Sequence, residues 1–365
     1  MILYRGEIDS VNSKTPKVSL GLPVNNGEKY LSQTLDSLLG QTFDDFELII
    51  SDNGSTDLTP QICQYYSKRD KRIHYYRYEQ NLGAAWNFNN AFKLSHGMYF
   101  KWVAHDDIIS PTFLKKCVDI LDSHPEVVWC FSISRHIDPE GKSIDSELAG
   151  VVSYANRDSN NPLLKSQMKP TRESSKVFER FGAILLGSDG NLDVFGLIRA
   201  DAMRKTMLQL PYYGADKVFV AELSLLGRYK EIPEILFSTR VHQAGSGAKT
   251  NSKQLQDWID PTSRRVFHLT RFNLLKGYLK AIMRAKLSIS DRMNCFLVII
   301  RYLFQVRKWK NVVSRTFRRI GTGGGYIQAV EILNKNSDKY DYSKSTIESR
   351  FDSLKIIHST LGEKL

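Results

Sequence analysis

Cysteine is scarce and scattered. The 365 residues hold four, Cys63, Cys117, Cys130 and Cys295, with no C-x-x-C pair and no histidine cluster beside them. That spacing excludes a zinc ribbon and a disulfide-built scaffold, and it suits a reducing compartment. Long apolar runs are also missing. The longest, Cys295 to Ile300, is broken by Arg301, far short of the roughly 20 residues of a spanning helix. The N-terminal stretch up to Lys17 lacks the apolar core of roughly 7–15 residues that marks a secretory signal. With 11 Pro and 23 Gly there is no collagen-like or low-complexity bulk. Neither a G-x-G-x-x-G turn after the first strand nor a G-x-x-x-x-G-K-[ST] loop occurs, so any phosphate must be held without a glycine cradle. What remains is ordinary globular composition, 42% hydrophobic and 25% charged, in a chain long enough for one large domain and an appendage.

Charge is segregated along the chain. Between Arg264 and Arg319 there are fifteen Lys or Arg and one acid, Asp291, so this segment carries the whole of the net +12. Its apolar residues Phe272, Leu275, Leu279, Ile282 and Met283 recur at helical spacing, which predicts basic amphipathic helices. Three uses fit such helices: a solvated face packed on a domain, a peripheral anchor on anionic lipid, or a nucleic-acid surface. The last ranks lowest, because the aromatic residues sit at core-like positions rather than between the charges as stacking platforms.

The first 135 or so residues alternate β-rich runs with helical patterns. Strands are predicted at Val18–Leu22, Phe46–Ser51, Ile73–Tyr78, Met98–Val103 and Val127–Ser132. Helical stripes lie between them, as in Tyr30, Leu31, Leu35, Leu38 and Leu39, or Phe113, Leu114, Cys117, Ile120 and Leu121. Thr59-Pro60 and Ser110-Pro111 each offer a capping hydroxyl followed by proline at a helix start. The alternation predicts an α/β fold with a mostly parallel sheet flanked by helices. A polar, aperiodic stretch follows from about Asp138 to Lys176, long enough to be a functional loop. Regular structure resumes near Val177–Leu186, with a strand at Val194–Arg199, helices after Asp201 and Gly214, and a strand near Ile235–Val241. Gly321 to Gly325 reads as a hinge before a short helical tail.

Ligands of such sheets bind beyond the carboxyl ends of the strands. Three polar loops stand there: Leu22-Pro23-Val24-Asn25-Asn26-Gly27-Glu28, Ser51-Asp52-Asn53-Gly54-Ser55-Thr56-Asp57 and Ala104-His105-Asp106-Asp107. Singly, Asn-Gly is a turn former and Asp-Asp before a helix answers its dipole. Together they converge on one crevice, where carboxylates suit Mg²⁺ or Mn²⁺ bridging to phosphate oxygens. Trp86 and Trp102 read as core, and His105 as a solvent-facing neighbour of the acids.

These motifs, with Asn81-Leu82-Gly83 between the second and third, resemble family-2 glycosyltransferases of the GT-A fold over roughly residues 16–242. The resemblance implies metal-dependent, inverting transfer of a sugar from a nucleotide-diphosphate sugar, a UDP-sugar first, to an acceptor hydroxyl, in surface polysaccharide or glycoconjugate synthesis. It assigns Pro23, Asn25, Asp52 and Asn53 to the nucleotide, Asp106 to the ribose, and Asp107 with His242 to the metal. Arg240 falls to the diphosphate and Asp216 to general-base work, with Glu222 a distant second. The chain departs from the family at three points: Asn25 stands where tyrosine is common, Ala104 replaces the first acid of Asp-x-Asp, and Ala215 replaces the glutamate of Glu-Asp. A catalytically inactive nucleotide- or glycan-binding relative is the alternative. The implied organisation is an N-terminal extension (1–15), a GT-A domain (16–245), a basic helical region (246–320) and a C-terminal tail (321–365). Expected partners are the nucleotide-sugar donor, a glycan or lipid-linked acceptor and, through residues 264–319, an anionic membrane surface, with no nucleic acid. The expected location is cytoplasmic, extending to the inner face of the membrane.

Overall fold

The computed structural model describes residues 2–5, 15–144, 171–187, 192–242, 245, 252–262 and 270–305. Most of the 138–176 stretch, the Gly321–Gly325 hinge, the tail at 321–365 and most of the 1–15 extension lie outside them.

Nine strands form one sheet: β1 Ile2–Arg5, β2 Val18–Val24, β3 Phe46–Asp52, β4 Ile73–Tyr78, β5 Tyr99–Trp102, β6 Ile108–Ile109, β7 Val127–Ile137, β8 Leu197–Arg199 and β9 Arg228–Arg240. Their spatial order is β1-β4-β3-β2-β5-β8-β7-β9-β6. The run β4-β3-β2-β5 is parallel, and so is β7-β9; β8 joins the two parallel groups through antiparallel pairings. Every residue of β2 and β3 is buried, as expected for strands covered on both faces.

Proline near the end of a central strand needs a reason. The carbonyl of Gly21 accepts from Val103 N at 2.8 Å, on the edge that faces β5. Alternation puts the nitrogen of Pro23 on that same edge, where pairing with β5 has already stopped at Gly21. No β2–β5 ladder bond is lost there.

Among the described residues ten α-helices accompany the sheet: α1 Leu31–Leu39, α2 Thr59–Ser67, α3 Ala84–Lys93, α4 Phe113–Ser123, α5 Val177–Leu186, α6 Ala200–Arg204, α7 Ala215–Leu226, α8 Ser252–Ile259, α9 Thr270–Arg284 and α10 Ile289–Leu303. α3 packs on β2, β3 and β5, and α4 on β7, β8 and β9; α7 lies against α5 and α9, and α10 against α5. Among the described residues no helix is long and apolar enough to cross a membrane.

Several expectations shift. The strand expected at Val194–Arg199 divides into a 3₁₀ turn, Leu192–Phe195, and the shorter β8. A buried ion pair between Arg172 and Asp193 holds the turn. The capping hydroxyls do not cap. The N-cap positions are Leu58 and Thr112, neither with a side-chain cap bond. The free amides of α2 go instead to carboxylates, Leu58 N to Glu28 Oε2 at 2.8 Å and Thr59 N to Asp57 Oδ1 at 3.0 Å. For α4, Leu114 N donates to Gln41 Oε1 at 3.0 Å. Glu28 and Gln41, distant in sequence, thus satisfy helix-start amides alongside the local Asp57.

Candidate active site

The three strand-end loops meet. Asn26 N donates to Ser55 Oγ (2.9 Å), Gly27 N to Thr59 Oγ1 (2.8 Å) and Glu28 N to Asp57 Oδ2 (3.1 Å), which zips the loop after β2 to the loop after β3. Asn26 takes a left-handed backbone, φ 55°, which asparagine tolerates better than most residues. Three asparagines then knit this pair to the turn before α3. Asn25 Nδ2 donates to Asn53 O (2.9 Å), Asn53 Nδ2 to Asn81 Oδ1 (2.8 Å) and Asn81 Nδ2 to Asn25 Oδ1 (3.1 Å). Asn25 thus supplies amide bonding where the family commonly has an aromatic ring. Asn81 is the member that sequence reading passed over, noticed only as part of a turn.

Asp52 is fully buried at the end of β3. Its Oδ1 accepts from Ser55 N (2.9 Å) and its Oδ2 from the Tyr75 hydroxyl (2.7 Å). Burial, followed by the charge of Asp52, pushes the Tyr75 phenol well above its usual range, so the phenol stays a donor and holds the carboxylate rigid.

At the end of β5 the two adjacent aspartates part company. Asp107 turns inward and is 4% exposed. Its Oδ1 accepts from Arg240 N at 3.0 Å and its carbonyl from Thr34 Oγ1 at 2.9 Å. Burial, with the neighbouring charge of Asp106 second, raises its carboxyl to about 8. Asp106 faces the other way: its Oδ2 lies 2.8 Å from His242 Nε2, with the two side chains 16% and 8% exposed. Asp106 is thus the carboxylate paired with His242, and Asp107 fastens β9 through the amide of Arg240.

Arg240 is also turned inward. Its Nε donates to Asp106 O (3.0 Å), its Nη1 to the carbonyls of Asp138 (3.1 Å) and Pro139 (2.8 Å), and its Nη2 to Gln33 Oε1 (2.8 Å). The guanidinium lies 4.6 Å from the centroid of the Tyr30 ring. Expected at a diphosphate, it is 6% exposed and joins the Asp106 loop to the start of the 138–176 stretch. Tyr30, read from sequence only as part of an apolar stripe, also packs on His242 at 4.8 Å. Its buried hydroxyl has no hydrogen-bond partner among the described residues. Thr34 and Gln33 on α1 gave no sequence signal, since nothing local distinguishes a polar helix residue that braces a loop about seventy residues on.

His105 was expected to face solvent. It packs against Gly27, where an added Cβ would meet its Cδ2 at 2.7 Å, and burial lowers its pKa. Trp102 is fully buried, and Trp86 packs edge-on against Tyr78 at 4.8 Å.

Asp216 lies in the first turn of α7, after Gly214 at φ 83°. The described contacts place it beside Tyr278 of α9, whose phenol is pushed up by burial first and then by Tyr302 and Asp216; none of them joins it to the Asp106–His242 pair. Glu222, further along α7, accepts from Met207 N at 2.8 Å. Burial raises it to about 7. Its bond to the chain before α7 gives it a structural use.

Among the described residues no three His, Cys, Asp or Glu side chains gather as a complete metal cage. One carboxylate and one imidazole at a crevice mouth do fit a divalent ion that keeps the rest of its shell for phosphate and water.

A mixed sheet with a parallel heart and polar loops at its strand ends is the GT-A arrangement. Residues 19–186 match Glycosyl transferase family 2. An uncharacterized glycosyltransferase of Rickettsia typhi is 34% identical over 122 residues, 33% of this chain and 37% of its own. The matched stretch thus spans little more than a third of the length of such relatives. Among solved structures, TarS of S. aureus in complex with UDP superposes with TM-score 0.54 at 18% identity, over 80% of this chain and 71% of its own. The mannosyltransferase PcManGT of Pyrobaculum calidifontis, in complex with GDP-Man and Mn²⁺, does so with TM-score 0.52 at 12% identity, over 96% and 87%.

Proposed function

We propose that the protein transfers a sugar from a nucleotide-diphosphate sugar, a UDP-sugar first, to an acceptor hydroxyl with inversion at the anomeric carbon, in surface polysaccharide or glycoconjugate synthesis. The observation that carries this reading is the Asp106–His242 pair, 2.8 Å apart, in the third of three strand-end loops, the first two being tied together through Asn25, Asn53 and Asn81. The complexes of TarS with UDP and with UDP-GlcNAc support a uridine donor, and the Mn²⁺ of PcManGT supports a divalent ion.

In this mechanism the asparagine lattice and Pro23 shape the base pocket, and Asp52, held by Ser55 and Tyr75, presents a fixed acceptor edge towards it. Asp106 and His242 would hold Mn²⁺ or Mg²⁺, and the ion would supply charge neutralisation for the departing diphosphate. Arg240 and Asp107 are positioning residues that keep the ends of β5 and β9 together. Asp216 takes the proton of the acceptor hydroxyl as that oxygen attacks the anomeric carbon from the face opposite the diphosphate. The bond from anomeric carbon to diphosphate oxygen breaks, and its electron pair leaves with the nucleotide.

Calorimetric titration of UDP, GDP and dTDP, with and without Mn²⁺, tests the site. The expected result is metal-dependent binding of one nucleotide, abolished in Asp106→Ala and largely kept in Asp107→Asn, whose amide oxygen still accepts from Arg240 N. Failure of all three nucleotides to bind would remove the reading's main support. Binding without any turnover of the sugar nucleotide would favour the inactive relative, which Ala104 and Ala215 make the specific rival.

A further inference from the structure

The outer surface of α10 carries the wrong residues for water. One side of the helix is packed in the ordinary way, with Cys295, Val298, Ile299 and Tyr302 buried. The opposite side should then be polar. It is instead Ile289, Met293, Leu297, Ile300 and Phe304, which are 86%, 60%, 54%, 47% and 77% exposed. At 3.6 residues per turn these five fall within about 80° of one another, so they form one stripe along the helix and its C-cap. α9 repeats the pattern, with Phe272, Leu279 and Met283 exposed opposite the buried Leu274, Tyr278 and Ala281. The two helices touch each other, and their buried faces press on α7 and α5. Their apolar stripes therefore share the far side of one layer. A contiguous apolar face of this kind calls for something to cover it.

The charge around the face says what. Lys276, Lys280, Lys286 and Arg301 are exposed on these helices and their connection, and from Thr270 to Leu303 the only acid is Asp291, which is engaged at the N-cap of α10 with Ser288. A second copy of the chain would bring cation against cation. The sequence directly after α10 repels in the same way, with Arg307, Lys308, Lys310, Arg315, Arg318 and Arg319 and no acid up to Arg319. An apolar stripe rimmed by cations matches one kind of partner, a bilayer whose headgroups are anionic and whose acyl boundary accepts side chains.

We propose that α9 and α10 form a docking face for an anionic membrane surface, with the Leu297–Ile300 stripe entering the headgroup–acyl boundary and the lysines contacting anionic headgroups. The face stands on its own residues and does not depend on the transferase reading.

Flotation of the full chain with vesicles of phosphatidylcholine alone, and of phosphatidylcholine with phosphatidylglycerol, tests it. The chain is expected to float with the mixed vesicles and not with phosphatidylcholine alone, and to be released by added salt. The exposed double variant Leu297→Gln/Ile300→Gln should lose flotation while keeping the wild-type thermal midpoint. Each of Lys276→Gln and Lys280→Gln should lower the partition coefficient about fivefold. Wild type that fails to float with the mixed vesicles overturns the proposal, as does a double variant that floats undiminished. A dimer in analytical ultracentrifugation that the double variant dissociates would overturn it in favour of a second copy.

Discussion

Adjacent residues of one type do different work here because a strand end sends them to opposite sides. Asp106 meets His242, whereas Asp107 receives the amide of Arg240. Asp216 stands apart on α7 and carries the proton-transfer assignment alone. Asp216→Asn is expected to leave nucleotide binding near wild type and to cut turnover by roughly 10²–10⁴, the range of lost general-base work; steady-state kinetics showing retained turnover would remove it from that role. Lys101 is the other residue whose chemistry is set by its place. It is fully buried on β5, donates to Phe195 O, and lies 4.6 Å from the Phe113 ring and 5.0 Å from the Phe237 ring. Burial lowers it from 10.5 to about 7. Between those two values the unfolded chain keeps the proton and the folded chain sheds it, so unfolding takes up protons and stability rises with pH. Thermal midpoints measured across that window should climb in wild type relative to Lys101→Met, and parallel curves would refute the assignment.

Helices α7 and α9 meet through a glycine. A Cβ on Gly277 would lie 2.6 Å from Val218 Cγ2 and 2.8 Å from the Tyr212 hydroxyl, so the two helices approach closely only because that side chain is missing. Gly277→Ala is expected to cost about 1–3 kcal/mol, as overpacking does, read as a lowered denaturation midpoint; an unchanged midpoint would mean the helices separate freely. Helix ends tell a related story. The proline-marked starts at Thr59 and Ser110 were legible as starts to within a few residues, but not how they are satisfied. Gln41, from the loop after α1, serves α4 by accepting Leu114 N and donating to Ser110 O at 2.8 Å. Capping by a residue about seventy positions away leaves no local pattern to read.

Over the whole molecule, one sheet joins two parallel groups of strands through β8. β2, β3 and β5 supply the three polar strand-end loops. β9 enters from the other group and ends at Arg240, so that His242 reaches Asp106 across 136 positions of sequence. The exposed Lys276, Lys280, Lys286 and Arg301 lie on α9, α10 and their connection. The proposed donor site and the proposed docking face thus occupy different elements, which lets nucleotide binding and vesicle binding be measured separately on one preparation.

By itself the sequence determined the parallel strands with their buried apolar runs, the three polar loops at their ends, the family those loops resemble, and the segregation of charge. These depend on residue type and on neighbours within a turn or two, where period, turn chemistry and net charge act. Only the tertiary structure decided which aspartate faces the crevice, that Arg240 is a clamp, that asparagines lace three loops together, and that α10 is apolar on both sides. Each of these depends on which distant group completes a hydrogen bond or covers a surface. Such partners are chosen by strand register and helix packing, which no local stretch of sequence encodes.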